Sequence, residues 1–411
     1  MVKIGVFSDT HVGCSIPNAI SERRRAAFRH AFTRAIDALI RSRVDLVIHA
    51  GDLFERRSMK PEDTVFVKEE LQRLVEELGG IPILAVRGNH DGTRENSALD
   101  YVRHPLAKYL KVLGDPSPCS SVYAEGGIVA AAVGYTPHPA AAIRRAAADL
   151  RGIFAGAECS ILIVHSFVSC QRIPPGVPEH QVVGVDLLGE SGARIVIAGH
   201  NHEYHGLVRV GETCVLTPGS TESINLSESG PHGVCVLDVG GGVKCDFIEI
   251  EPLYVAKTVY VGGEGRVRQV EWYREQAASA VKSFIEDLGG REGILKIVLR
   301  GVVDGDRLEA ESASEAEARK AAEGARNLIY VEVESQLEEV SAAPQPSAAT
   351  RDQFLSEVFG SILGFSEEAL SLVSEVEAAL EERASAKTGL LTESDRREFV
   401  RRWLKILGDV K

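Results

Sequence analysis

The sequence predicts a layered α/β domain, followed by a smaller α+β unit and a helical tail. Three observations carry that prediction. Apolar runs rich in Val, Ile and Ala recur through the first part of the chain, as strands buried between layers do. Amphipathic stretches at helical spacing lie between them. A Pro- and Ala-rich stretch from Ser341 to Thr350 then sets the end of the chain apart as a separate segment.

The elements follow in order. Strand candidates are Lys3–Ser8, Asp45–Ala50, Ile81–Val86, Ile128–Val133, Ser160–Val164 and Arg194–Ala198. Helices are expected over Ser21–Arg41, with Ser21 as N-cap, and over Pro61–Leu78, stopped by Gly79 and Gly80. Gly233–Val239 and Val243–Ile250 flank three glycines and read as a hairpin. Beyond Pro252 the pattern is strand Lys257–Val261, helix Val270–Leu288, strand Ile294–Arg300, helix Ala313–Ala325 and strand Leu328–Glu334. The expected division is therefore an α/β domain at 1–254, a small α+β domain at 255–340, a linker at 341–350 and a helical segment at 351–411. In that last segment Phe354, Leu355, Val358, Phe359, Ile362 and Leu363 recur at helical spacing, as do Phe399, Val400, Trp403, Leu404 and Leu407. So short a segment buries little apolar surface alone, so it either packs on its own body or docks on a partner.

Bulk properties bound the function. A chain of 411 residues, 44% hydrophobic and 26% charged, reads as soluble, globular and multidomain. The first residues run straight into an apolar strand and no apolar run reaches membrane-spanning length, so a cytoplasmic location and no membrane partner are expected. Seven scattered cysteines without a CxxC pair argue against a disulfide framework or a zinc ribbon. The net charge of −13 weighs against a broadly basic nucleic-acid binder, although a local basic surface is compatible with it.

The chemistry gathers at strand ends, where open α/β sheets place their sites. The first strand ends in Asp9-Thr10-His11, the second in Gly51-Asp52, and the third in Gly88-Asn89-His90-Asp91. His165 closes another, and Gly199-His200-Asn201-His202 the last. Each motif alone has a bland reading: a turn, a helix cap or a buried core histidine. Together they supply the mixed oxygen and nitrogen donors, including one bridging carboxylate, that a pair of divalent ions about 4 Å apart needs to clamp a phosphate and activate water. Glycines 51, 88 and 199 are expected to let the backbone turn sharply beside them.

These motifs resemble those of the calcineurin-like metallophosphoesterase superfamily. The resemblance implies a two-sheet β sandwich flanked by helices. It implies one metal held by Asp9, His11, Asp52 and His202, a second by Asp52, Asn89, His165 and His200, and a catalytic His90 at the scissile phosphate. Within the superfamily, Gly51-Asp52-Leu53-Phe54 followed by Pro61, and Thr217-Pro218-Gly219-Ser220-Thr221-Glu222, look like the SbcD-type, meiotic-recombination-eleven branch of double-strand-break repair nucleases. That branch implies two manganese ions, sequence-independent binding of DNA ends, a DNA-gripping cap at 255–340, a homodimer, and docking of the C-terminal helices on an SMC-like coiled-coil ABC ATPase (SbcC-type).

Two departures stand out. Many nuclease members carry His where this chain has Glu55, and the fourth motif reads His165-Ser166-Phe167. Neither removes a ligand. Arg56, Arg57 and Arg87 are the expected phosphate contacts, with Arg23-Arg24-Arg25 either a further cluster or a solvated helix face. The dimer ridge is expected in Ala98–Leu113, on Leu99, Tyr101, Val102, Leu106, Tyr109 and Leu110. Two alternatives stay open: a phosphatase or phosphodiesterase acting on small molecules or phosphoproteins, and a non-catalytic scaffold that tethers its partner to DNA.

Overall fold

Strands that are apolar on both faces need cover on both. The computed structural model, which describes residues 2–340 apart from 94, 95, 116 and 229, provides it with two stacked sheets. In chain order, β1 (Val2–Phe7) leads through α1 (Ser21–Ser42) to β2 (Leu46–His49), and α2 (Pro61–Glu77) leads to β3 (Ile83–Ala85). A short α3 (Ala98–Arg103) precedes β4 (Leu110–Val112). The chain then builds the second sheet from β5 (Tyr123–Glu125), β6 (Ile128–Val133), α4 (Pro139–Phe154) and β7 (Cys159–His165). A small pair, β8 (Phe167–Val168) and β9 (Val182–Val183), and α5 (Val185–Gly189) lead to β10 (Ile195–Gly199), β11 (Gly206–Val210) and β12 (Thr213–Thr217). The hairpin β13 (Gly233–Val239) and β14 (Val243–Glu249) returns to the first sheet. The orders are β14-β13-β1-β2-β3-β4 and β11-β12-β10-β7-β6-β5.

The pleat explains the sandwich. Side chains alternate across a strand, so each strand serves two cores. Ile161 and Ile163 of β7 and Ile195 and Ile197 of β10 meet Ile4, Val6 and Ile48 between the sheets. Their neighbours Leu162, Val164, Val196 and Ala198 face outward onto Ile143, Leu150 and Phe154 of α4. On the opposite side Phe7 and Val47 face α1, whose Ala31, Phe32, Ala35, Ile36 and Leu39 recur at helical spacing. Phe32 is wholly buried there, so its truncation to Ala costs about 3–5 kcal/mol.

The sequence expectations hold for the strands of the sandwich within a residue or two. Other expectations differ, among them the strands of the small unit, the first of which runs over Val255–Gln269 rather than Lys257–Val261. Ser21 is the first helical residue rather than the cap: Ile20 holds the cap position, makes no side-chain cap bond, and is the last residue of a 3-10 turn at Asn18–Ile20. The second helix of the small unit starts earlier, at Arg307, because Asp306 accepts from the Glu309 amide at 2.8 Å and caps it. The expected dimer ridge is largely buried inside the molecule. Leu99, Val102, Leu106 and Leu110 pack into the core under α1 and α2, and of the six residues only Tyr101 stands well out, at 76% exposure.

Val255 opens a third sheet of parallel strands, β15 (Val255–Gln269), β16 (Gly293–Asp304) and β17 (Leu328–Glu339), crossed over by α6 (Val270–Asp287) and α7 (Arg307–Ala322). Its own core holds Tyr273, Ala277, Val281 and Phe284 against Leu295, Ile297 and Leu299. Ala27, Leu226, Tyr254 and Ile294 seal it to the sandwich, and Met1–Val340 forms one compact unit. The expected linker and helical segment lie outside the described residues. All seven cysteines are free. No helix among the described residues is long and apolar enough to cross a membrane.

Candidate metal centre

The loops after β1, β2, β3, β7 and β10 converge, and their backbones are bent to do so. Of seven non-glycine residues with positive φ among the described residues, four belong to the expected ligand set: Asp9 (50°), His11 (40°), Asp52 (53°) and His200 (81°). Such conformations cost of order 1–3 kcal/mol each and persist only where neighbours enforce them. Enforcement is visible. The amides of Asp9 and His11 donate to the carbonyls of Gly51 (2.9 Å) and Asp52 (3.1 Å). The buried Asp91 carboxylate accepts from the amides of Asp52 (2.9 Å), Leu53 (3.0 Å), Phe54 (3.2 Å) and Gly88 (2.9 Å), tying the second loop to the third. Gly51 makes the expected sharp turn at φ 102°, whereas Gly88 serves by leaving room: a Cβ there would sit 2.1 Å from Asp52 Oδ1.

Three histidines share one arrangement, in which Nδ1–H donates outward and Nε2 is left facing the centre. His165 donates to the Ala50 carbonyl at 2.8 Å, His11 to Glu55 Oε2 at 2.9 Å, and His202 to Glu228 Oε1 at 2.9 Å. His165 Nε2 then lies 3.1 Å from both Asp52 Oδ2 and Asn89 Oδ1. His11 Nε2 is buried, lies 3.8 Å from Asp52 Oδ2 and has no hydrogen-bond partner, a costly state for a polar atom unless something else binds it. Donor atoms of Asp9, His11 and His202 lie within 4.8 Å of one another, as do those of Asp52, His165 and His200. Asp52 also groups with His11 and His90, so it stands between both triads. His90 packs edge-on to His11 at 4.7 Å and donates through Nδ1 to the Glu55 carbonyl at 2.7 Å. The structure thus brings together Asp9, His11, Asp52, Asn89, His90, His165, His200 and His202.

Electrostatics agree with a cation site. Burial alone would raise the Asp52 carboxyl, but the charges of His165 and His11 and the bond from His165 hold it well below the usual carboxylate range. Burial and the Asp52 charge together push Asp91 up.

The arginines divide sharply. Arg56 and Arg57 are exposed and have no carboxylate partner among the described residues. Arg87 is turned inward, bound to Asp100 (2.8 Å) and Asp115 (3.1 Å) at 9% side-chain exposure, which withdraws it from phosphate contact. Of the triplet, Arg24 is buried against Glu222 (3.5 Å), Arg25 pairs with Asp63 (3.2 Å) and Arg23 with Glu292 (3.3 Å). The Thr217–Glu222 motif therefore serves the architecture, since Glu222 meets Arg24 and the Ser220 amide donates to the His202 carbonyl at 3.0 Å. Sequence reasoning missed Glu228, since no spacing rule links a loop carboxylate to a histidine 26 positions earlier. It also left Asp91 without a role and Glu55 without its bond to His11.

A family model described as calcineurin-like phosphoesterase matches residues 2–204, the stretch that holds every one of these ligand candidates. The chain carries a calcineurin-like phosphoesterase domain. Such domains hold divalent metal ions, and the donor set fits them: oxygen and imidazole donors converge, and a buried Nε2 lacks any other partner. The DNA double-strand break repair protein Mre11 of Methanosarcina mazei is 26% identical over 70% of this chain and 43% of that protein. The Mre11 of Haloferax volcanii is 28% identical over 66% of this chain and 58% of that one. The Mre11 of Aeropyrum pernix is 25% identical over 80% of each. The chain thus spans about half the length of the first two relatives.

Proposed function

We propose that the chain is a manganese-dependent DNA nuclease that works through two metal ions and processes DNA ends in double-strand-break repair with a coiled-coil ABC ATPase. The observation that carries this reading is the convergence of seven donor residues about Asp52, with His90 beside them. The bound ions would polarise the phosphodiester and lower the pKa of a water so that it attacks at neutral pH. Asp9, His11, Asp52 and His202 would hold one ion, and Asp52, Asn89, His165 and His200 the other. His90, its Nδ1–H fixed on the Glu55 carbonyl, turns Nε2 to the phosphate, and a proton carried on Nε2 would pass to the leaving oxygen.

DNA rather than a small ester is favoured by what surrounds the centre. Arg56 and Arg57 leave the second loop exposed. A cavity of about 210 Å³ beside His202 shares Ser227, Glu228, Gly230 and His232 with one of about 340 Å³ that reaches Tyr260 on the third sheet. Arg300 stacks 3.7 Å from the Tyr260 ring, and outside the cavity lining Arg268 lies 5.0 Å from Trp272, pairings of cation and aromatic suited to a nucleic-acid strand. The third sheet is the cap in this reading, and relatives named as double-strand break repair proteins lend it support.

End-labelled duplex DNA incubated with Mn²⁺ tests the proposal. Wild type degrades it and a chelator stops the reaction. Asp52→Ala abolishes cleavage, and His90→Ala lowers kcat roughly 10²–10⁴-fold, the usual worth of a general acid. Cleavage of chromogenic mono- or diesters with DNA left intact would overturn the nuclease assignment in favour of a phosphatase.

A further inference from the structure

Histidine ligands are tuned by whatever their second ring nitrogen touches, and here the partners are unevenly shared. Glu55 sits on His11 and Glu228 on His202, each at 2.9 Å, and both histidines belong to the triad with Asp9. In the other triad His165 rests on a neutral carbonyl, that of Ala50. The His200 ring packs on Phe167 at 4.5 Å and makes no hydrogen bond among the described residues. Glu228 is itself anchored, since its Oε2 accepts from the Ile224 amide at 2.8 Å. Glu55 is also held at its backbone, where its amide donates to the Val12 carbonyl at 3.2 Å. Asp91 backs neither His165 nor His200, because its oxygens accept from the amides of Asp52, Leu53, Phe54 and Gly88.

Resting on the two-ion reading above, we infer that the two metal positions are unequal. Glu55 and Glu228 act as positioning residues that make the Asp9–His11–Asp52–His202 position a tight, resident divalent-cation site. The Asp52–Asn89–His165–His200 position is the exchanging one. Two causes add. A carboxylate on the distal N–H makes an imidazole more basic and fixes its ring, more strongly than a carbonyl does. The first position also collects Asp9, Asp52, Glu55 and Glu228, four formal negative charges, where Asp52 is the only carboxylate among the four ligands of the second. The same loop that carries Glu55 carries its carbonyl to His90, so an ion at the first position and the proposed acid are oriented by one residue.

The test is a Mn²⁺ titration of the full chain, stripped by chelator, read from the electron paramagnetic resonance of free aquo-Mn²⁺. Two binding classes are expected in wild type. Glu55→Gln and Glu228→Gln keep an acceptor oxygen but lose the charge, and each should weaken the tight class about 10–100-fold with the weak class little moved. Asn89→Ala should do the reverse, removing the weak class and sparing the tight one, which also guards against a fold defect in the Gln variants. A single class in wild type, or a tight class untouched by both Gln variants, overturns the inference, as does loss of the tight class in Asn89→Ala. The readout needs no substrate. Two unequal classes in a protein that spares DNA would leave the inference standing and remove the nuclease reading; equal classes in an active nuclease would do the opposite.

Discussion

At the residue scale the centre is built from groups that would be unfavourable anywhere else. Asp9, His11, Asp52 and His200 hold left-handed conformations, and a buried aspartate held by backbone amides, Asp91, fixes the loops that bend them. Asp91 was visible in the sequence only as the end of Gly88-Asn89-His90-Asp91, because nothing local distinguishes a loop organiser from a ligand. Its removal has a definite consequence. Asp91→Ala leaves four amides without their acceptor, and unsatisfied buried donors cost about 1–3 kcal/mol each, partly relieved by water. Urea unfolding should show a loss of roughly 3 kcal/mol or more, with cleavage falling in parallel as Asp52 loses its position. Stability within about 1 kcal/mol of wild type would mean the loops hold without it.

At the scale of elements, legibility followed the strength of the local pattern. The strands were readable because Val and Ile fill both faces, and the ligands were readable because they sit at the ends of those strands. Helix α4 was not singled out, because Ile143, Leu150 and Phe154 share its buried face with Ala142, Ala146 and Ala147, and the alanines add helix propensity while thinning the apolar stripe. Helix α1 shows the converse, where adjacent arginines look alike in sequence and differ in the fold. Arg23 is 53% exposed, while Arg24 is 1% exposed, with Nε donating to the Ile16 carbonyl at 2.9 Å and its guanidinium against Glu222. Exposed pairs are worth about 0–1 kcal/mol, whereas stripping one partner from a buried pair costs about 3–5 kcal/mol. Arg23→Ala should therefore melt like wild type, and Arg24→Met should be strongly destabilised. Adding Glu222→Leu to Arg24→Met should recover part of the loss, since the stranded carboxylate goes with it. Equal melting of the two single variants would refute the division.

At the scale of the whole molecule the acidic balance has to coexist with the proposed polyanionic substrate. A net charge of −13 repels DNA at long range, so the proposed binding depends on where cations remain unpaired. The fold commits several arginines to internal pairs, Arg24, Arg25 and Arg87 among them, and leaves Arg56 and Arg57 exposed beside the centre. A centre flanked by few free cations neutralises few phosphates and so grips a duplex weakly, with only a shallow loss of binding as salt rises, which makes a partner that brings DNA to the centre physically useful. The segment 351–411, with its two apolar runs at helical spacing, is the part of the chain proposed to recruit that partner. Deleting it should abolish co-purification with the coiled-coil ATPase and leave Mn²⁺ binding and hydrolysis of a small phosphodiester unchanged, because every proposed ligand lies between Asp9 and His202. Retained ATPase binding by the truncated chain would place the docking surface on the phosphoesterase body instead, and lost Mn²⁺ binding would mean the segment supports the centre itself.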